Sequence, residues 1–281
     1  YNTGPFLLNT SAKKITIIHD LIFMRPKNQL PTSTSLYQNI GRLYRKLVVP
    51  QIAKKSDYII TVSDFTKKEL IEFLNIPIEK ITVIPNSITD SWFNETIPLS
   101  MRKSYIFTVA GEAPSKNVDS LLIAFSKLIR INNIEIDLHI AGINKKYHNH
   151  FHQKITSLGV EKRVKLLDFL SEEELKKQYR EARLFVFASL LEGFGIPLLE
   201  AMASGTPICC SNTTSIPEIA SDAAIFFNPK DTGDIMNKIG LVLALSNEKT
   251  EELISKGKKR ATQFSNTAVQ CKIEDFWNKL L

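Results

Sequence analysis

One short stretch, EGFGIPLLEAMASG at residues 192–205, restricts most strongly what this chain can fold into. It carries two glutamates, a pair of glycines on either side of an aromatic residue, and an apolar segment that begins with proline. Pro197 suits the first position of a helix, where its missing N–H would be unpaired in any case. Gly205 suits the position just beyond a helix, where a left-handed backbone is common. We therefore predict a helix from about residue 197 to residue 204, with Glu192 in the loop before it.

The two glutamates of this stretch are eight positions apart, at Glu192 and Glu200. On one continuous helix they would lie ~12 Å apart along the axis. A glycine loop that folds back lets them approach one ligand from opposite ends instead. The unpaired amides of the helix start would lie between them, and such amides attract anions. The pattern favours a ligand with hydroxyl groups and a phosphate, although a surface loop followed by a core helix with two incidental glutamates is the alternative.

The rest of the chain alternates between strand and helix patterns, which is typical of parallel α/β sheets. Ser63 or Asp64 is expected to cap one helix, and Ser171 with Glu174 forms a capping-box pattern before another. A segment rich in Asn, Ser and Thr, residues 86–100, is predicted to link two such series. The predicted strands are 15–18, 57–62, 80–84, 104–109, 135–142, 163–167 and 184–188, with short strands in 206–210 and 223–227, and the last helix is 266–280.

Charge and composition narrow the classes of partner. The chain has 281 residues, with 36 Lys and Arg against 29 Asp and Glu, which gives a formal charge of +7. Such a balance favours anionic partners such as nucleotide phosphates, nucleic acid or acidic lipid. Basic residues do not alternate with aromatic ones, so a nucleic-acid interface is not expected. No apolar run approaches the ~20 residues that cross a bilayer, and the first residues do not form a signal peptide.

Two further features bear on location and partners. The three cysteines form neither a disulfide framework nor a metal-binding spacing, which is typical of a reduced, cytoplasmic protein. Residues 36–55 place apolar side chains at Leu36, Ile40, Leu43, Leu47 and Val48 among arginines and lysines. This pattern fits a core-packed helix with a charged outer face, and it also fits a basic amphipathic helix on an anionic membrane surface.

The run SLLEGFGIPLLEAMASGTPICCSNTTSIPEIASDAAIFFNPKD, together with ITIIHDLIF near the start, resembles the retaining glycosyltransferases of family four. The similarity extends over nearly the whole chain and is strongest between residues 105 and 231. It implies the GT-B fold, in which two Rossmann-like parallel-sheet domains face a cleft. Residues 1–95 with helix 266–281 would form the acceptor-side domain, and 96–265 the nucleotide-sugar domain. In family members the first half of the acceptor-side domain carries further elements and a glycine-rich loop, so we expect this domain to be incomplete in the present sequence.

The resemblance implies transfer of a hexose, with retained configuration, from a GDP- or UDP-linked sugar to a glycan acceptor. The acceptor would be lipid-linked and would belong to a bacterial O-antigen or capsule, so the enzyme would act in the cytoplasm at the inner face of the plasma membrane. Family members need neither a metal nor another cofactor, and no motif for a metal site is present here.

The resemblance also implies roles for individual residues. His19, Lys116 and Glu192 would be catalytic: Glu192 would hold hydroxyls of the donor sugar, and Lys116 would neutralise the diphosphate. Glu200 would bind the ribose hydroxyls, and Ser115 stands where the family has an arginine. The implied donor-binding residues are Gly111, Ser115, Lys116, Asp168, Phe169, Leu170, Glu192, Gly193, Phe194, Gly195, Ile196, Leu199 and Glu200.

Other functions stay open on the sequence alone. A nicotinamide-dependent Rossmann enzyme would need a G-x-G-x-x-G turn between strand and helix, and the sequence has none. A GT-B epimerase or phosphorylase would carry the same fold, because one fold hosts several chemistries. A binding protein that kept the fold and lost catalysis is the third alternative, favoured by Ser115.

Overall fold

The protein forms two parallel β-sheets with helices packed against them. We describe it from a computed structural model, which defines residues 11–25, 36–93, 96–132 and 134–280. The first sheet has three strands and the second has six. This arrangement confirms the predicted α/β class with two parallel sheets, whereas the exact division into domains stays a prediction.

The first sheet has the order β1-β2-β3, with β1 at Ile15–Ile18, β2 at Tyr58–Thr61 and β3 at Ile81–Val83. Its strands are rich in isoleucine and threonine, whose branched side chains suit an extended backbone. Helix α1 spans Leu36–Lys55 and helix α2 spans Asp64–Leu74. As predicted, the Ser63 side chain caps α2 by accepting a hydrogen bond from the N–H of Thr66.

The second sheet has the order β6-β5-β4-β7-β8-β9. Its strands are β4 (Lys103–Val109), β5 (Asp137–Ala141), β6 (Val164–Leu166), β7 (Ala182–Phe187), β8 (Ile208–Ser211) and β9 (Ile225–Phe227). The chain runs outward from β4 to β6 and then returns to β7 on the other side of β4. In open α/β sheets, ligands bind at the carboxyl ends of the strands where the order reverses in this way. The fold therefore favours a site at the ends of β4 and β7.

Helices cover both faces of the second sheet. They are α3 (Val118–Asn132), α4 (His148–Ser157), α5 (Glu172–Glu181), α6 (Ile196–Ala203), α7 (Ile216–Ala220), α8 (Thr232–Leu243) and α9 (Asn247–Thr262). Successive residues of β4 belong to different buried clusters, because side chains alternate along a strand. Ile106 packs with residues of α3 and α8, whereas Phe107 packs with residues of α5 and α6. The predicted capping box of Ser171 and Glu174 is present at the start of α5.

The last helix, α10 (Asn266–Leu280), lies against the first sheet rather than the second. Its buried residues Val269 and Phe276 form a small cluster with Ile84, and side chains of β1 and β2 pack around it. The ring of Tyr58 on β2 meets Phe276 edge to face, with 6.2 Å between the ring centres. The chain thus returns to its first sheet after completing the second.

Helix α1 leaves exposed several apolar side chains that a core-packed helix with this pattern would bury. Ile40, Leu43 and Leu47 are each 60% exposed, and the buried contacts come from Val49 and Ala53 instead. Arg42 turns inward and donates hydrogen bonds to backbone carbonyl groups of residues 23 and 25. The interpretation of these apolar positions as core is therefore wrong, because the guanidinium of Arg42 and small residues occupy the inner face.

Candidate functional site

Lys116 and Glu192 meet at the edge of the second sheet where the strand order reverses. Lys116 lies in the turn after β4, and Glu192 lies in the loop after β7. The Lys116 Nζ atom is 2.6 Å from Glu192 Oε1, and the glutamate side chain is only 14% exposed. Two residues that are 76 positions apart thus form one charged pair, at the location that the topology favours.

The turn that carries Lys116 is fixed to the end of β7 by hydrogen bonds. The N–H of Leu190 donates to the carbonyl of Ser115 over 2.7 Å. Asn117 is buried in a left-handed backbone conformation, and its side-chain amide donates to the carbonyls of Ala188 and Pro229. Because these contacts hold both loops together, the ammonium of Lys116 is positioned by the scaffold and not only by its partner.

The loop after β7 is held from beneath by a second set of hydrogen bonds. The N–H of Glu192 donates to the hydroxyl of Thr214, over 3.2 Å. The hydroxyl of Ser215 lies 3.1 Å from the carbonyl of Glu192 and 2.9 Å from that of Phe194. Gly195 then has φ +115°, a conformation that glycine adopts without strain, and leads directly into α6. The predicted helix is thus present one residue earlier than expected, and Gly205 follows it with φ +69°.

Gly193 packs against His19 and Asp20, which follow strand β1 of the first sheet. The hydroxyl of Ser63 donates to its carbonyl over 2.8 Å. A Cβ atom added at Gly193 would lie 2.3 Å from the carbonyl oxygen of His19 and 2.8 Å from the Cβ of Asp20. Only glycine therefore fits this contact, which places the backbone of His19 directly against the loop of Glu192. The His19 side chain is exposed, and its predicted catalytic role stays a prediction.

A second contact between the two halves was not foreseen from the sequence. The carboxylate of Glu218, in α7, accepts hydrogen bonds from the backbone N–H groups of Asp64 and Phe65 at the start of α2. A carboxylate at a helix N-terminus is stabilised by the unpaired amides and by the helix dipole. Arg260 holds the same turn by donating to the Glu218 carbonyl. No local pattern marks Glu218 for this role, because its partners are more than 150 positions away.

Glu200 lies inside α6 and has a neutral partner. The hydroxyl of Tyr179 donates to Glu200 Oε2 over 2.8 Å. Burial raises the pKa of Glu200, and the hydrogen bond from Tyr179 partly offsets this by favouring the ionised form. Tyr179 itself is fully buried, and burial raises its pKa well above 10, so it remains a donor. The sequence pattern predicted Glu200 as a ligand-binding residue but gave no sign of Tyr179.

The loop after β6 carries the three residues predicted to line a base. Asp168 Oδ2 is 3.2 Å from Lys145 Nζ. His148 Nε2 lies 3.3 Å from Asp168 Oδ1, but it also lies 3.1 Å from the carbonyl of Ile143 with hydrogen-bond geometry, so we assign the bond to the carbonyl. Phe169 is 72% exposed and Leu170 packs partly against the core. The ring of Phe169 is therefore available as a stacking surface.

The other predicted donor-binding residues differ in how accessible they are. Leu199 and Phe194 are buried in the core, so only their backbone atoms can meet a ligand there. Ile196 is exposed at the start of α6. A Cβ added at Gly111 would meet no heavy atom of the described residues within 4 Å, which indicates open space beside the Lys116 turn. None of these positions has a contact that tests its predicted role.

The described residues contain neither a metal-binding cluster nor a membrane-spanning helix. Among those residues, no three His, Cys, Asp or Glu side chains lie close enough to hold a metal ion. No helix within the same ranges combines the length and the apolar character needed to span a bilayer.

Several known proteins are similar to this chain over most of its length. The O-antigen chain mannosyltransferase B of Escherichia coli is 28% identical over 276 residues, which cover 93% of this chain and 70% of that protein. The O-antigen chain mannosyltransferase RfbU of Salmonella typhimurium is 31% identical over 192 residues, 68% of this chain and 52% of the relative. Among solved structures, HepE of Anabaena in complex with UDP and glucose superimposes with a TM-score of 0.78 at 19% identity, covering 94% of this chain and 71% of that one.

The family assignment rests on matches along both halves. Residues 5–92 match the family described as Glycosyltransferase Family 4. Residues 92–260, more than half of the chain, match the family described as Glycosyl transferases group 1. These family matches, together with the superposition on HepE, confirm the predicted GT-B fold. This chain belongs to the glycosyl transferases group 1 family.

Proposed function

We propose that the protein transfers a hexose from a nucleoside-diphosphate sugar to a glycan acceptor with retention of configuration. The observation that carries the proposal is the Lys116–Glu192 pair at the carboxyl ends of β4 and β7. A lysine ammonium suits a diphosphate, and a carboxylate suits sugar hydroxyls. Relatives named as O-antigen mannosyltransferases support mannose as the sugar and a bacterial surface polysaccharide as the product.

In the proposed reaction, Lys116 and Glu192 act on opposite sides of the bond that breaks. The bond between the anomeric carbon and the β-phosphate oxygen breaks, and its electron pair leaves with the diphosphate. Lys116 stabilises the charge that develops on this leaving group, since fixed charges aimed at such a position are usually the largest catalytic effect. Glu192 holds the sugar hydroxyls, and the acceptor oxygen attacks the same face of the ring. The acceptor's proton passes to the leaving phosphate oxygen, so no enzyme nucleophile and no metal are required.

Calorimetric titration with GDP, UDP, ADP and NAD, without added metal, tests the nucleotide site. We expect one of GDP and UDP to bind selectively. Glu200→Ala should weaken that binding about 10- to 100-fold, because hydrogen bonds to a charged group contribute about 1.5–3 kcal/mol. Glu251→Ala, at an exposed position of α9, is the matched control and should bind like the unmodified protein.

The outcomes separate the alternative functions. Binding of NAD in preference to the diphosphates would contradict the proposal. Selective diphosphate binding without any sugar transfer would indicate a binding protein that kept the fold. Release of a sugar 1-phosphate in the presence of inorganic phosphate would indicate a phosphorylase, and inversion of a hydroxyl of the bound sugar would indicate an epimerase.

We further propose that α1 rests on an anionic bilayer and brings the site to a lipid-linked acceptor. Ile40, Leu43, Tyr44 and Leu47, here called the α1 stripe, are exposed at a spacing that aligns them on one face of the helix. Residues 36–55 contain five arginines and lysines and no acidic residue. An apolar face with a basic surround is typical of helices that lie in the interface of an anionic membrane.

Vesicle sedimentation tests this surface. The protein should bind vesicles that contain phosphatidylglycerol, bind pure phosphatidylcholine much less, and lose binding as salt is added. The double substitution Leu43→Asp, Leu47→Asp should lower binding more than about tenfold, because each leucine contributes about 1.5–3 kcal/mol when buried. Ile131→Asp, at an exposed apolar position of α3, is the control. Equal binding by both variants would contradict the proposal, and a dimer that dissociates in the α1 variant would assign the stripe to self-association instead.

A further inference from the structure

Tyr179 is held beneath helix α6 by three aromatic rings and two hydrogen bonds. Its ring is fully buried and meets the rings of Phe107, Phe185 and Trp92, with centroid distances of 5.0, 5.1 and 5.7 Å. Its backbone carbonyl accepts a hydrogen bond from the hydroxyl of Thr206 over 2.7 Å. Because Thr206 follows the end of α6, the tyrosine is tied to this helix both there and at Glu200, inside it.

The hydrogen bond from Tyr179 uses only one oxygen of Glu200. Its donor reaches Oε2, and no described residue forms a hydrogen bond with Oε1, so we assign Oε1 to the ligand. A lysine or arginine at this position would form an ion pair and compete with ligand hydroxyls for the carboxylate. A tyrosine that keeps its proton donates without adding charge, and burial keeps it in that state.

The electrostatic surroundings otherwise disfavour an ionised Glu200. Burial raises its pKa most, and the negative charge of Glu172 on α5 raises it further. The hydrogen bond from Tyr179 lowers the pKa of Glu200. Tyr179 and Glu172, the two described residues that shift this pKa, both lie on α5. Glu172 is itself exposed and paired with Lys176 Nζ at 2.8 Å.

From this geometry we infer that Tyr179 is a positioning residue that orients Glu200 and keeps it ionised, and so sets the lower pH limit of nucleotide binding. The inference rests on the proposed role of Glu200 toward the nucleotide. An ionised carboxylate accepts from two neighbouring hydroxyls, whereas the protonated acid has lost part of that capacity. Affinity should therefore fall as the pH drops through the pKa of Glu200. Without the tyrosine hydroxyl that pKa lies higher, so the fall should begin at a higher pH.

The test is Tyr179→Phe, which removes the hydroxyl and keeps the ring. Titration with the preferred nucleoside diphosphate should show about tenfold weaker binding at neutral pH, since about 1.4 kcal/mol corresponds to a factor of ten. The pH at which affinity is half lost should move upward. Tyr105→Phe is the matched control, because this buried tyrosine donates to the carbonyl of Gln178 rather than to Glu200. It should leave both the affinity and the pH profile unchanged.

A double-mutant comparison removes the contribution of the nucleotide phosphates, which also take up protons as the pH falls. In a Glu200→Gln background, adding Tyr179→Phe should leave the pH profile unchanged, because no carboxylate remains to be held. Carbon-13 NMR titration of the Glu200 carboxyl in the unliganded protein gives an independent readout. If the wild type binds no nucleotide, the proposed function fails, and the NMR titration still decides whether Tyr179 keeps Glu200 ionised. A folded Tyr179→Phe protein with an unchanged Glu200 titration would overturn the inference.

Discussion

Replacing Glu192 with glutamine is expected to lower the kcat of sugar transfer by about 100- to 1,000-fold. Affinity for the nucleoside diphosphate should stay the same or increase. The carboxylate of Glu192 is the partner of Lys116 at 2.6 Å, so its removal frees the ammonium for the diphosphate and takes a negative charge away from it. Glutamine keeps the shape of the side chain but cannot hold the transferred sugar with the same charge. Steady-state transfer assays and calorimetry on the same preparation measure both quantities.

The comparison with Lys116→Ala makes this prediction specific. Loss of the lysine should weaken diphosphate binding and transfer together. The neighbouring Ser115 is uncharged and cannot replace the ammonium as a partner of the diphosphate. The two variants thus separate binding of the leaving group from binding of the sugar, although they break the same ion pair. A Glu192→Gln protein that loses as much nucleotide affinity as Lys116→Ala would contradict the division of roles.

Replacing Gly193 with alanine is expected to reduce transfer more than tenfold and to destabilise the fold by about 1–3 kcal/mol, the usual range for overpacking. The new methyl group would lie 2.3 Å from the carbonyl oxygen of His19, a backbone atom that cannot rotate away. The loop must therefore move, or the two halves must separate. Either change displaces Glu192 relative to His19, and displacements of about 1 Å in an active site can reduce rates about 100-fold.

Gly41→Ala provides the matched control for the stability measurement. At Gly41, within α1, an added methyl group would meet no heavy atom of the described residues within 4 Å. Alanine is also the better helix former, so this variant should be as stable as the original or more stable. Thermal unfolding of both variants, together with small-angle scattering of Gly193→Ala, measures the effect. Wild-type stability and turnover in Gly193→Ala would show that the contact with His19 is not maintained in solution.

The sequence predicted those features of the fold that depend on neighbours along the chain. The strands, the cap at Ser63, the capping box before α5 and the helix of the central stretch all follow from local spacing and residue type. The order of the second sheet then brings the Lys116 turn beside Glu192, as expected for a site at the reversal point. The prediction of a bound diphosphate there still awaits experiment.

The contacts that the sequence did not indicate join residues far apart in the chain. Tyr179 lies on the buried face of α5 and looks like an ordinary core aromatic until its hydroxyl is located. Glu218 looks like a helix-surface acid, and its partners are backbone amides, which have no residue-specific signature. In helix α1 the spacing of the apolar residues could be read from the sequence. Which face of the helix packs inward could not, because it depends on the contacts of Arg42.

The return of α10 to the first sheet has a consequence for biosynthesis. Strands β1 to β3 leave the ribosome early, but the cluster of Ile84, Val269 and Phe276 can form only when α10 has emerged, after the whole second sheet. Domains generally fold as units during synthesis, amino-terminal first. The described side chains of Ile15, Tyr58 and Ile60, which pack around this cluster, therefore lack their contact with α10 while the second sheet folds. Chaperone binding to stalled nascent chains should therefore persist on residues 58–84 until α10 is released.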